Sequence, residues 1–77
     1  MKLFTLVYIY DRDVDVKIET FKTLEEAMSR NNEFVLSFVQ SNGVSSLDTR
    51  KSKDGGFFCY VEGGHTNIQI HIKETEV

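Results

Sequence analysis

Residues Thr23 to Gly43 constrain the chain more than any other stretch, because they read as one capped amphipathic helix. Thr23 is an N-cap residue whose hydroxyl accepts a bond from an orphan N–H of the first turn. Glu26, three residues on, completes the capping-box pattern by reaching back to the Thr23 N–H. Glu25 and Glu26 set negative charge at the positive end of the helix dipole. Asn42-Gly43 is the stop, since glycine enters the left-handed region at little steric cost.

At about 100° per residue, Leu24, Ala27, Met28, Phe34, Val35, Phe38 and Val39 fall on one side. Asn31 projects into the middle of that apolar stripe and Leu36 points away from it. For Asn31 the ordinary reading is a polar group bonded to backbone or water. The sharper one is a group beneath a ligand pocket. Leu36 is expected as a lone exposed leucine, or else as a partner contact. About 18 helical residues span roughly 27 Å, the length of an eight- or nine-residue strand. One such helix lies along one sheet.

The remainder reads as strand and turn. Lys2–Tyr10 is apolar on both faces, as a central strand covered on both sides is. A polar turn at Asp11-Arg12-Asp13 leads to Val14–Thr20, which alternates Val14, Val16, Ile18 against Asp15, Lys17, Glu19. After the helix come a weak strand at Ser46–Lys51, a turn at Ser52–Gly56 and a strong strand at Phe57–Glu62. Gly63-Gly64 turns the chain into Asn67–Lys73, and Glu74–Val77 is expected to fray.

The order β-β-α-β-β-β makes an α+β fold, a two-layer sandwich with one helix packed on a mainly antiparallel sheet of four or five strands. The first strand is expected in the middle. This order of elements resembles that of β-grasp domains. The likeness covers most of the chain, carries no motif and implies no function.

Seventy-seven residues allow one small domain, residues 1–77. With 9 basic and 12 acidic residues the net charge is −3, which gives no general attraction to nucleic acid or anionic lipid. A single cysteine excludes an intrachain disulfide and suits a reducing cytoplasm. The apolar run after Lys2 ends at Tyr10-Asp11 with no small-residue cleavage site, so it reads as strand rather than signal peptide. No run approaches the 18 apolar residues that span a membrane, and no membrane partner is expected.

Candidate chemistry is sparse. Cys59 reads as a small buried hydrophobe. Cys59, His65 and His71 match no zinc spacing, so no metal and no cofactor are expected. Asp11, Asp13 and Asp15 open like a calcium loop, but Val16 and Lys22 stand where an EF-hand needs Gly and Glu. The glycine pairs precede no helix and are hairpin turns, not phosphate loops. The final Thr75-Glu76-Val77 resembles a carboxylate-terminal ligand of PDZ domains. No nucleophile–base pair or paired carboxylates are visible, which argues against an enzyme.

The informative feature is a shortage of cover. If Leu3, Val7, Ile9, Val14, Val16, Ile18, Phe57, Cys59, Val61, Ile68, Ile70 and Ile72 face the helix, the opposite face carries Phe4, Leu6, Tyr8, Tyr10, Phe58 and Tyr60, with His71 nearby. Such a patch is expected to be covered. Three readings follow. The face packs against a second copy or another protein, the sheet coils enough to pack the rings on one another, or the rings stack unpaired bases with help from Lys17, Arg50 and His71. The expected function is a non-catalytic protein-interaction module binding through Phe4, Tyr8, Tyr10, Phe58, Tyr60 and His71, with self-association as a dimer or a host protein as partner. An adaptor or inhibitor suits this size, including one carried by a phage or mobile element. The alternative is a small-ligand or single-stranded nucleic-acid-binding domain using the same rings, with nucleic acid disfavoured by the charge.

Overall fold

Thr23 starts the helix as its chemistry requires. Its Oγ1 accepts from the Glu26 N–H at 3.1 Å and donates to Glu26 Oε1 at 3.0 Å. The glutamate therefore caps through the threonine hydroxyl and not through its backbone N–H, because one hydroxyl both donates and accepts. The helix, α1, runs Leu24–Asn42 and ends at Gly43, which has φ 74° and donates its N–H to the Val39 carbonyl at 2.8 Å. These coordinates are a computed structural model that describes residues 1–11, 16–51 and 55–77.

The strands are β1 (Lys2–Tyr10), β2 (Lys17–Phe21), β3 (Ser46–Lys51), β4 (Phe57–Gly63) and β5 (Thr66–Glu76). They form one antiparallel sheet in the order β2-β1-β5-β4-β3. The result is a two-layer α+β sandwich. The centre is β5, not β1, since β5 is the longest strand and pairs along the whole of β1 and β4. Its end does not fray: Glu76 pairs with Lys2, and the Val77 N–H bonds the Met1 carbonyl at 2.7 Å. The expected hairpin turn at Asp11–Asp13 and the turn at Ser52–Gly56 fall mostly on residues 12–15 and 52–54, outside the described residues. Val16 is exposed and precedes β2, so the second strand is shorter than its alternation suggests.

Which face of β1 meets the helix decides the core. Both of its side-chain sets are apolar, and the ring-bearing set wins. Phe4, Leu6 and Tyr8 are buried, and Leu3, Val7 and Ile9 face away. The helix supplies Phe34, which stacks on Tyr8 at 4.2 Å between centroids, and Phe38, edge-on to Tyr10 at 6.1 Å. Four large side chains on this set bury more apolar area than Leu3, Thr5, Val7 and Ile9. Because Val7 pairs directly with Ile18, β2 must turn with β1, and Ile18 is left 65% exposed. The expectation that Leu3, Val7, Ile9, Val16 and Ile18 face the helix is thus reversed for these residues. It holds for Cys59, Val61, Ile68, Ile70 and Ile72, all buried, and for Phe57, which packs against them, while Val14 lies outside the described residues.

The charged set of β2 then lies at the helix flank. Glu19 accepts from Arg30 Nε at 2.8 Å, and Lys17 Nζ sits 5.8 Å from the Tyr8 ring centroid. Arg30 also covers the Phe34 ring at 4.3 Å. Long polar side chains seal this edge with their stems while their heads stay wet.

The helix returns to the sheet through a close backbone approach. A Cβ on Gly63 would meet the Gly43 carbonyl oxygen at 2.2 Å, so only glycine fits there. Two predictions follow from this packing. Phe38→Ala removes a ring that is 3% exposed and should cost about 3–5 kcal/mol, read as a lower urea midpoint. Gly63→Ala should cost a comparable amount although it adds only a methyl group, because backbone must move to admit it. A wild-type midpoint for either variant contradicts the packing.

Candidate interaction surface

Direct pairing partners share a face, so the register maps the side of the sheet away from the helix. One cross-strand row reads Ile18, Val7, His71, Phe58, Arg50. The next reads Ile9, Gln69, Tyr60, Asp48. Beyond the first lie Thr20, Thr5 and Lys73, and beyond the second Asn67, Glu62 and Ser46. Asp11 continues β1 beside Asn67, to whose carbonyl its N–H donates at 3.1 Å.

None of this face lies beneath α1, which packs over β1, β2, β4 and β5 from the other side. It is neither greasy throughout nor plainly hydrophilic. Val7, Ile9 and Leu3 are half-buried among their neighbours, as are Phe58 and Tyr60, while His71, Lys73 and Arg50 are exposed. The Phe58 ring lies 4.7 Å from the His71 ring, tilted by 57°. The Tyr60 hydroxyl donates to Glu62 Oε2 at 2.9 Å. That bond first, then desolvation and the charges of Glu62 and Asp11, hold the phenol above its ordinary range. Asp48 and Arg50 pair at 3.1 Å along their own strand.

The six aromatic and histidine residues expected on one face therefore divide. Phe58, Tyr60 and His71 share the open face. Phe4 and Tyr8, 9% and 8% exposed, are core residues beneath the helix, and Tyr10 packs beside Phe38 on that same side. Their place on the open face is taken by Leu3, Val7, Ile9 and Ile18. Comparing the bulk of the two β1 sets was the signal that separates them.

Residues with reactive side chains do not converge. Cys59 is 2% exposed on the helix side, and His71 stands on the opposite side of the sheet. Burial pushes the thiol above its ordinary range, outweighing the opposing pull of the Asn31 amide. Asn31 is itself 3% exposed, and its Oδ1 has no hydrogen-bond partner among the described residues. His65 occupies the β4–β5 turn with φ 65°. Asp13 and Asp15 lie outside the described residues. Among the described residues no three His, Cys, Asp or Glu side chains group as a metal site. No helix there is long and apolar enough to cross a bilayer. A shallow groove of about 400 Å³ opens elsewhere, between Leu24, Met28 and Phe57 with Lys51 at its rim, and Asn31 does not line it.

Comparison with protein-family models, curated proteins and solved structures returns no match.

One prediction concerns the thiol. Because Cys59 is buried and its thiolate disfavoured, native protein should react with a disulfide reagent at pH 8 at least about 100-fold more slowly than protein unfolded in urea. Equal rates contradict the burial.

Proposed function

We propose that this protein is a small non-catalytic interaction module of the cytoplasm, an adaptor or inhibitor that binds protein through the open face of its sheet. The observation that carries the reading is the uncovered pair of central rows, in which Val7 and Ile9 of β1 and Phe58 and Tyr60 of β4 flank His71 and Gln69 of β5, with no second layer over them among the described residues. Half-exposed apolar groups interleaved with polar ones and rimmed by charge suit a protein-binding patch. Tyr60, Phe58 and Arg50 belong to the residue types that anchor interfaces. A lone buried thiol suits a reducing compartment.

Catalysis is disfavoured by the sheet itself, which stands between Cys59 and His71. Base stacking on Phe58, Tyr60 and His71 is disfavoured by charge. Arg50 and Lys73 share the face with Asp11, Asp48 and Glu62, so a phosphate backbone would meet more negative than positive groups.

Phe58→Ser/Tyr60→Ser should keep a cooperative melt, since both rings are only half-buried, with a loss of about 1–3 kcal/mol. The same variant should lose protein association. A photoreactive phenylalanine analogue at Phe58 should give protein adducts in the living host, and the same analogue at Leu36, exposed on the helix, should not. Adducts from Leu36 alone would turn the reading to the other side of the molecule.

A further inference from the structure

Resting on the open-face reading, we infer that the occupant of this face is a second copy of the chain, seated about a two-fold axis. The axis lies between the stacked sheets, perpendicular to the strands, and passes midway between the Val7–His71–Phe58–Arg50 row and the Ile9–Gln69–Tyr60–Asp48 row. This operation lays each strand over its own copy, running the other way, and each of the two rows over the other. An isologous contact must be complementary to itself, and few faces are.

Here the positions of β1, β5, β4 and β3 in the two central rows each find a suitable partner. Phe58 lies over the partner's Tyr60 and Val7 over the partner's Ile9. His71 lies over the partner's Gln69, an amide able to donate or accept. Arg50 lies over the partner's Asp48. One row further out, Lys73 lies over the partner's Asn67, between the partner's Asp11 and the partner's Glu62. Lys73 has no ion-pair partner within the described residues, so this contact would supply it with one. The Asp48–Arg50 pair within one strand is exposed and solvent-screened, so exchanging it for the same pair across the axis loses little.

The sense of the axis is fixed by these charges. A two-fold running along β5 would instead set β1 over β4 and leave Arg50 above Ile18. The size suits a dimer at the small end of the range. Five strands and four rows bound a face of about 24 Å by 27 Å, and because the outer rows do not reach every strand it amounts to roughly 500 Å² in projection before side-chain relief is counted. A standard interface takes about 800 Å² from each partner. Aligned sheets stack about 10 Å apart and within about 30° of each other, which the antiparallel arrangement permits.

Light scattering and sedimentation test the pairing. The wild-type chain should run at twice its 8.9 kDa mass. Arg50→Asp sets carboxylates against each other in both symmetry-related pairs along the β3 edge of the contact, and Asp48→Arg sets guanidinium groups against each other there. Each variant alone should associate at least about 100-fold more weakly. Mixed together, the two should form a heterodimer, since each supplies what the other lacks, and Asp48→Arg/Arg50→Asp in one chain should recover the homodimer. Lys73→Glu, on a different strand, should weaken the dimer independently. Residues 48, 50 and 73 are at the surface, and circular dichroism should show each variant folded.

A wild-type chain that stays at monomer mass up to about 1 mM overturns the self-pairing. It leaves the open-face reading to stand or fall on the Phe58 cross-links, which would then join a different protein. A dimer that survives either single reversal, or a mixture of the two variants that stays monomeric, overturns this axis even if the chain self-associates.

Discussion

The contact between α1 and β1 governs the rest of the molecule. Tyr8 stacks on Phe34 and Tyr10 meets Phe38 edge-on, two ring pairs one helical turn apart. Each such pair adds about 0.5–1.5 kcal/mol to the apolar area it buries. That is modest, but side chains along a strand alternate with a period of two, so the choice is binary. Once Tyr8 goes under the helix, Val7 and Ile9 go to the other side. The antiparallel register then carries Ile18 outward with Val7, and Glu19 inward with Leu6, where Arg30 meets it. One preference among side chains thereby fixes both faces of two strands.

The same choice sets which surfaces of the molecule are left open. Its edges are poor templates for another strand. β3 carries Asp48, Arg50 and Lys51, and β2 carries Lys17 and Glu19, each strand being five or six residues long. Short, charged edges discourage strand addition. The helix exposes mostly polar side chains, with Leu36 alone near its middle. What remains is the broad side of the sheet, where apolar residues of β1 and β4 flank a polar β5. A face whose central strand differs so much in polarity from the two beside it offers a partner both grease and registration marks.

How far the sequence discloses this depends on whether the signal is local. Helix ends are local: Thr23, Glu26 and Gly43 act on atoms within four residues, and both ends stand where they read. The spans of β3 and β4 are equally legible because turn-forming residues bound them, and the inward isoleucines of β5 because its alternation is clean. β1 is different. Two apolar sets compete for one helix, and only the rings on that helix break the tie. β2 misleads because an edge strand tolerates charge on its inner side when an arginine waits there. The tail misleads too, since Glu74–Glu76 is held by pairing with Lys2–Phe4, seventy residues away in sequence. Asn31 was visible as an intruder in the apolar stripe, and it lies next to Cys59 under the helix. Its companion Thr66, equally buried, follows a turn and carried no such mark.

The mixed character of the open face has a physical consequence of its own. An entirely aliphatic face would bind any greasy surface and would fix neither orientation nor register. Charges of both signs, set in separate rows, penalise every placement that brings like upon like. Arg50 and Asp48 sit one residue pair apart on the same strand, as do His71 and Gln69, and Phe58 and Tyr60. Sliding a second copy by one pair along the strands would lay Arg50 on Arg50 or Asp48 on Asp48. The apolar side chains would tolerate that slip, and the charged ones would not. In the proposed pairing the hydrophobic groups would supply attraction, and the flanking ions would decide which of several similar arrangements is lowest in free energy.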